Sequence, residues 1–296
     1  MTSSSPLLGI MGLSSLHLDA FIAAARTRNF SQAANELHIT QSALSQRIKS
    51  LEEDLNQTLF LRMPRGVKLT DAGIRLLRYC QARHSLEEEV LTELTGPSQE
   101  GLGGSIRIGG YSSIVRSVLM PALAPLLREN PGVQPHIQNA EMRELPELLL
   151  SGSVDFVVMD RPFARGDLET LKLGEEEIVM IDGRDHPAPE GVYLDHDPDD
   201  PTTAHYLSQQ GHEVPNFRRA FLDEVYAVLD GTALGMGRAV ISRHLVESDK
   251  RVRILDEFEP MRVPVLLHYF RQPFYTALHD AVVDTLKARV PGLLAG

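Results

Sequence analysis

The chain has 296 residues, 43% of them hydrophobic, which is enough for more than one buried core. A single cysteine, Cys80, excludes an internal disulfide, and no apolar run reaches the roughly 18–20 residues needed to span a bilayer. The formal net charge is −11, yet residues 1–83 hold ten Lys and Arg against six Asp and Glu, a net of +4 that leaves −15 for the remainder. A basic head on an acidic body suits a protein that offers one end to phosphates. No basic residue precedes Arg26, so a secretory signal is not expected and the cytoplasm is the default location.

Residues 1–15 have weak periodicity and read as a loose leader. From Leu16 the apolar residues Leu18, Phe21, Ile22 and Ala25 form a helical stripe. Ser31 is the expected N-cap of a short second helix ending at Leu37, with His38 and Ile39 making a corner and Thr40 capping a third helix. In that third helix Leu44, Ile48, Leu51 and Leu55 fall on one side. Ser42, Ser45, Gln46, Lys49 and Glu53 fall on the other. Short hydroxyl and amide side chains followed by a cation suit base edges and phosphates, although an ordinary solvated face has a similar composition. The position after a short capped helix and a tight corner favours a helix-turn-helix.

Residues 59–70 then predict a hairpin, or wing, turning around Pro64–Gly66, with Arg62, Arg65 and Lys68 near its tip. Cations there suit phosphate or minor-groove contact, and suit a plain surface equally. Thr70 and Asp71 open a helix running to about Leu94. Its residues Ala72, Leu76, Tyr79, Arg83, Leu86 and Val90 alternate spacings of four and three, a seam fitted to a second copy. Gly96-Pro97-Ser98 and Gly101-Leu102-Gly103-Gly104 read as a flexible linker and domain boundary.

The series Ser31-Gln32-Ala33-Ala34-x-x-Leu37-x-x-Thr40-Gln41-Ser42-Ala43-Leu44-Ser45-Gln46-x-Ile48-x-x-Leu51-Glu52, then Leu59-Phe60-x-Arg62 and Leu69-Thr70-x-Ala72-Gly73, resembles the DNA-binding domain of LysR-type transcriptional regulators. The match runs without a gap over about the first 95 residues.

Beyond the linker, strands alternate with helices. Strands are expected at Ser105–Gly109, Val133–Ile137, Asp155–Met159, Leu171–Leu173, Ile178–Ile181, Ala239–Ile241 and Val263–Tyr269. Helices are expected at Val115–Arg128, bent by Pro121 and Pro125, at Glu144–Leu150 and at Tyr275–Val290. This is βαβ grammar. It resembles the family's effector-binding region, which is like a periplasmic solute-binding protein of two α/β lobes. The resemblance implies a winged helix-turn-helix domain at 14–70, a dimerisation helix at 71–95, a hinge at 96–104 and an effector-binding domain at 105–296. Lobe I would take about 105–161 with 268–296, and lobe II about 162–267. The stretch Leu234–Leu245 resembles a recurrent lobe II segment, with Ser242 where the family often has proline.

No P-loop, G-x-S-x-G elbow or G-x-G-x-x-G occurs, so no enzyme chemistry and no cofactor are expected. Cys80 reads as packing. The 11 histidines include no H-x-H or H-x₃-H pair, and no metal site is expected. Asp195-His196-Asp197-Pro198-Asp199-Asp200 begins like a calcium loop, but Asp200 holds the required glycine position and Tyr206 the place of the bidentate Glu, which leaves a solvated acidic loop.

Ser112 and Ser113 lie between the first strand and first helix of the second region, where they could hold a carboxylate or simply cap the helix. By family analogy Glu141, Asp160, Arg161, Thr202 and Thr203 face the same cleft. Asp160 would suit an effector amine and Arg161 an effector acid, together an amino acid.

The combined expectation is a sequence-specific, effector-responsive transcriptional regulator. Gln41, Ser42, Ser45 and Gln46 lie nearest the bases, and Ser31, Arg47 and Lys49 contact phosphates, with Gln32 and Thr40 beside them. Arg62 and Arg65 contact flanking backbone or minor groove. The resemblance implies a homodimer through the long helix, a homotetramer that bends promoter DNA, and possible contact with RNA polymerase. The alternatives are a pure solute-binding protein, an enzyme with a DNA-binding head, and a regulator whose effector region is vestigial or serves only oligomerisation.

Overall fold

The computed structural model describes residues 12–64, 66–95, 101–211 and 218–295. They fall into two units, one taking in the chain up to Glu87 and the other most of the remainder. The expected leader and the residues 96–100 of the expected linker lie largely outside the described residues.

The first unit holds α1 (Ser15–Thr27), α2 (Phe30–Glu36), α3 (Gln41–Leu55), the hairpin β1 (Phe60–Met63) and β2 (Gly66–Leu69), and the start of α4 (Asp71–Thr95). Ala20, Ala23, Ala24 and Ala25 of α1 and Ala33 and Ala34 of α2 are buried, and their small side chains let the helices approach closely around Leu18, Phe21, Leu44 and Leu51. Phe60 brings the hairpin into this core, with its ring centroid 5.3 Å from Phe21 and 5.5 Å, edge-on, from Phe30. The N-cap of α2 is Asn29 and not Ser31: its side chain accepts the N–H groups of Ser31 and Gln32 at 2.9 and 3.2 Å. Asn29 has the extended backbone a cap needs, which places Ser31 in the first turn. The corner lies where expected, with His38 in the left-handed region (φ 53°) and Ile39 N–H closing on Ala34 O at 3.0 Å.

In α4, Leu76, Leu77 and Cys80 are buried in the head core, while Tyr79, Leu86, Val90 and Leu94 are exposed. Burial pushes the Cys80 thiol up to about 11, so it packs as an inert apolar group.

The second unit is built on one nine-stranded sheet, in the order β4-β3-β5-β11-β6-β9-β7-β8 with β10 also on β6. In chain order it comprises β3 (Gly103–Gly110), α5 (Ser112–Ile114), a π-helical turn (Val115–Leu119), α6 (Met120–Glu129), β4 (Gly132–Asn139), α7 (Leu145–Leu150), β5 (Phe156–Met159), β6 (Leu168–Gly183), β7 (Val192–Asp195), α8 (Thr202–Gln209), β8 (Arg218–Phe221), α9 (Val225–Ala233), β9 (Arg238–Ser242), α10 (Arg243–Val246), β10 (Val252–Ile254), β11 (Met261–Phe270) and α11 (Ala277–Leu294).

Three expectations need correction here. The helix expected over Val115–Arg128 begins at Ser112 and widens into a π turn before Pro121. Pro121 has no N–H for Ser117 O, and Met120 N–H instead reaches back five residues to Val115 O. Second, the two short strands expected at Leu171–Leu173 and Ile178–Ile181 are halves of one 16-residue strand, β6. Third, Gly103 and Gly104 of the expected linker already belong to β3.

β11 runs antiparallel to β6 along its whole length, against Leu168–Ile178, and the two strands carry the chain between two cores. Leu173, Val265 and Leu267 sit in the core of lobe I with Ile108, Val118, Leu123 and Leu286. Further along β6, Val179 and Ile181 sit in a lobe II core with Leu194, Leu229 and Ile241. The crossing therefore lies inside the two long strands. Ser242 has φ −64°, a value proline also takes, so its departure from the family pattern leaves this backbone unstrained.

Candidate nucleic-acid interface and effector cleft

The two faces of α3 separate as its sequence requires. Leu44, Ile48 and Leu51 are buried, and Gln41, Ser42, Gln46 and Lys49 are exposed, with Ser45 and Arg47 half-buried beside them. Thr40 caps the helix, its hydroxyl accepting Ala43 N–H at 3.1 Å while lying 3.0 Å from Ser42 Oγ. Lys49 Nζ is 3.5 Å from Glu53, an exposed i,i+4 pair that phosphate can outcompete. Ser31 and Gln32 are exposed at the start of α2, and Arg62 and Lys68 are exposed on the hairpin. Arg65 lies outside the described residues.

Glu52 holds this surface together, its carboxylate accepting the N–H groups of Leu59 at 2.7 Å and Phe60 at 3.4 Å. Thr70 donates its hydroxyl to Thr58 O at 2.7 Å and caps α4 by accepting Gly73 N–H at 3.0 Å. At Gly73 an added Cβ would lie 2.3 Å from Leu59 O, so the close approach of α4 to the hairpin requires glycine.

In the second unit, Ser112 and Ser113 follow β3 directly, and Ser112 donates to Glu224 Oε1 at 3.1 Å. Glu224 is in turn the N-cap of α9, where its other oxygen accepts Tyr226 and Ala227 N–H. Ser113 is buried. Asp160 and Arg161 grip one another through two hydrogen bonds, at 2.6 and 3.1 Å, rather than standing apart as separate amine and acid contacts; this pairing raises the Arg161 guanidinium above its ordinary range. Glu141 meets His196 of lobe II at 3.4 Å. Thr202 is bonded to Asp200 through both its N–H and its hydroxyl. Thr203 is fully buried and its hydroxyl is committed to Asp195, which also pairs with Arg219.

Sequence reasoning missed the residues that join the lobes. Arg116 lies 3.9 Å over the ring of Tyr226. Ser117 Oγ is 2.8 Å from His244 Nδ1, His244 Nε2 is 2.9 Å from Glu176 Oε2, and Tyr111 donates to Glu176 Oε1 at 2.7 Å. His196, besides Glu141, meets Asp197 at 3.2 Å and Asp200 at 2.9 Å. The hydrogen bond to Asp200 above all, with the surrounding carboxylates, raises His196 to about 9. The cross-lobe partners are 55 to 127 residues apart in the chain, so local periodicity carries no trace of them. The sequence signal for His196 is its place in the acidic run Asp195–Asp200, whose pattern alone suits a solvated loop.

Residues 16–74 match the model of the bacterial regulatory helix-turn-helix proteins of the lysR family, and residues 99–291 match that of the LysR substrate binding domain. The HTH-type transcriptional activator IlvY of Salmonella typhimurium is 28% identical, over 93% of this chain and 98% of IlvY. BudR of Klebsiella aerogenes, an HTH-type transcriptional regulator, is 37% identical over 47% of this chain and 97% of its own length. Among solved structures, ArgP from Mycobacterium tuberculosis matches with TM-score 0.72 at 22% identity, covering 94% of this chain and 97% of that one. Full-length LysG from Corynebacterium glutamicum with bound effector Arg matches with TM-score 0.69 at 20% identity, covering 94% and 99%. These two structural likenesses concern the fold.

Proposed function

The chain belongs to the lysR family of bacterial regulatory helix-turn-helix proteins, and on that premise we propose how its parts divide the work. It is a transcriptional regulator with an effector-binding domain, and not an enzyme. Residues 14–70 form the reading head, 71–95 the dimerisation helix, 96–104 the hinge and 105–296 the effector domain. In the major groove Gln41, Ser42, Ser45 and Gln46 address base edges, with Thr40 and Gln32 alongside. Ser31, Arg47 and Lys49 hold phosphates, and Arg62 and Arg65 reach the flanking backbone or minor groove. The observation that supports this reading is the split of α3 into a buried apolar face and an exposed amide, hydroxyl and cationic face.

Titration of labelled promoter DNA tests it. Gln46→Ala should lose sequence preference, each lost bidentate base contact costing about 1–3 kcal/mol of discrimination. Lys49→Ala should weaken all sequences alike and reduce the salt slope by about one unit. Parental behaviour in both variants would mean that α3 is not the reading helix.

The effector is an amino acid or related carboxylate held between the lobes at Ser112 and Ser113, with Glu141, Asp160, Arg161 and Thr202 as outer contacts, while Thr203, expected beside them, is buried on Asp195 and can only support Thr202 from behind. Arginine bound in LysG is in keeping with this class. Glu224, exposed and already on Ser112, is a partner for an effector amine. A thermal-shift panel of the common amino acids should raise the melting temperature for one member, and Ser112→Ala with Ser113→Ala should abolish that rise. The working assembly is a homodimer or homotetramer in the cytoplasm, in contact with RNA polymerase, in which effector binding shifts the spacing of the heads. Among the described residues no helix is long and apolar enough to cross a membrane.

A further inference from the structure

Glu141 of lobe I and His196 and Asp197 of lobe II turn their polar atoms toward one point. One ligand atom from each of the three lies within 4.8 Å of the other two. His196 Nε2 is 3.2 Å from Asp197 Oδ2 and 3.4 Å from Glu141 Oε2. Bonds of about 2.0–2.1 Å to the corners of a tetrahedron set neighbouring ligand atoms about 3.3–3.4 Å apart. Both edges that meet at Nε2 therefore have the length of a zinc-type centre. The third edge closes by rotation of the exposed Glu141 side chain.

The imidazole is oriented for ligation. Its Nδ1 meets Asp200 Oδ2 at 2.9 Å. A carboxylate accepts and does not donate, so Nδ1 carries the hydrogen and Nε2 is the nitrogen that can coordinate. Asp200 is itself fixed, because its other oxygen accepts both the N–H and the hydroxyl of Thr202. A carboxylate behind the ring with Nε2 in front is the arrangement that orients metal-binding histidines and raises their basicity. Asp197 is divided in the same way: Oδ1 accepts Asp199 N–H at 2.6 Å, and Oδ2 faces His196. Arg219 holds the loop by donating to Pro198 O and Asp197 O while paired with the buried Asp195. Arg143 is turned to Asp199, 3.9 Å away. Among the described residues neither the Glu141 nor the Asp197 carboxylate has a lysine or arginine partner. Two carboxylates thus converge from opposite lobes with one imidazole between them.

We propose that Glu141, His196 and Asp197 bind a divalent transition-metal ion of the zinc type, bridging lobe I to lobe II. One nitrogen and two oxygens suit a borderline ion, whereas calcium and magnesium take oxygen ligands throughout. Three protein ligands leave a fourth position for water or a small anion. Without the metal, a proton on Nε2 stands between the carboxylates, and the ion displaces it. An ion ligated from both lobes binds their closed arrangement and so favours it. Histidine spacing in the sequence misses such a site, because Glu141 lies 55 residues before His196. The site does not rest on the effector reading above, although Glu141 belongs to both.

Zinc and cobalt titrations of the untagged full-length protein, stripped with a chelator, test the site. Calorimetry should find one zinc ion per chain whose affinity falls at least about ten-fold in Glu141→Gln, in His196→Gln and in Asp197→Asn. Cobalt should give the intense visible bands of four-coordinate geometry, bleached by zinc and untouched by magnesium or calcium. Zinc held by some other surface histidine would survive in all three variants, so parental affinity in all three overturns the site. Parental affinity in Glu141→Gln alone also overturns it, because the ion would then not bridge the lobes. That variant is the safeguard against misfolding, since its exposed side chain contacts His196 and no other described residue. A weak six-coordinate cobalt spectrum, or release by magnesium or calcium, would mark a hydrated acidic patch and overturn the proposal. The probe is the metal alone, so a failed amino-acid panel leaves this result standing.

Discussion

The carboxylate of Glu52 in α3 accepts the backbone N–H of Leu59 at 2.7 Å, which makes the reading helix and the wing one mechanical piece. The same carboxylate takes Phe60 N–H, and Phe60 is the residue that carries the hairpin into the head core. Glu52→Ala leaves two part-buried N–H groups without an acceptor, at a cost of about 1–3 kcal/mol. Glu52→Gln keeps one neutral acceptor and should cost roughly half as much. Urea unfolding of the two variants checks the order. Equal stability of Glu52→Ala and the parent would show that water replaces the carboxylate without loss.

Two glycines should respond in opposite directions to the same substitution. At Gly73 a Cβ meets Leu59 O at 2.3 Å and Leu69 Cδ2 at 2.9 Å, and the first of these is backbone that moves only if the hairpin moves. Gly73→Ala should therefore cost on the order of 2–3 kcal/mol or more. Gly292, within α11, has nothing within 4 Å of its virtual Cβ. Gly292→Ala should stabilise by about 0.5–1 kcal/mol through helix propensity and the reduced freedom of the unfolded chain. Thermal melts of both variants, side by side, separate the steric argument from the conformational one.

The contrast between these units also explains what the sequence disclosed. The head is made of contacts close in the chain, so the 3.6-residue period of Leu44, Ile48 and Leu51, the Thr40 cap and the His38 corner were all legible. The error at Asn29 and Ser31 arose because both residues are good caps, and only the backbone angle chooses between them. In the second unit the strand pattern is legible, but β6 looks like two pieces in the sequence because Gly174 and the run Glu175–Glu177 interrupt its apolar pattern at the crossing between lobes. Residues such as Ser117, Glu176 and His244 gain their meaning only from the crossover of β6 and β11, and no local rule marks them.

His196 makes a prediction whose sign follows from linkage. Its folded value is raised to about 9 from the ordinary 6.5, chiefly by the bond to Asp200, with Asp197 and Glu141 adding to it. A group raised on folding binds its proton more tightly in the native state. Its contribution is therefore complete below about 6.5 and is lost as pH climbs through about 9. The full shift would correspond to about 3 kcal/mol, but the side chain is a third exposed, and solvent screening brings this to on the order of 1–2 kcal/mol. Because Glu141 lies in lobe I and the other partners in lobe II, this clasp also joins the lobes. His196→Gln should melt below the parent at about pH 6 and level with it near pH 10. A gap that stays constant with pH would mean the imidazole contributes by packing alone.

The exposed seam of α4 supports the last prediction. Tyr79 and Val90 are each 50% exposed and Leu94 is 77% exposed, and with Leu86 they lie along the outer part of a 25-residue helix. Leaving such side chains in water forgoes about 25 cal/mol for each Å² of apolar surface, and a second copy of the helix is the simplest cover. If this seam is the dimer contact, Leu86→Glu with Val90→Glu places four carboxylates in a two-fold interface, each desolvated and facing like charge. Sedimentation should then report monomers at concentrations where the parent is a dimer or larger, while the head core, which uses neither residue, keeps its melting temperature in the isolated chain. Promoter affinity should drop steeply, because one head reads only half of a two-fold site. A variant that remains an oligomer of parental size would place the subunit contact elsewhere and leave the seam without its partner.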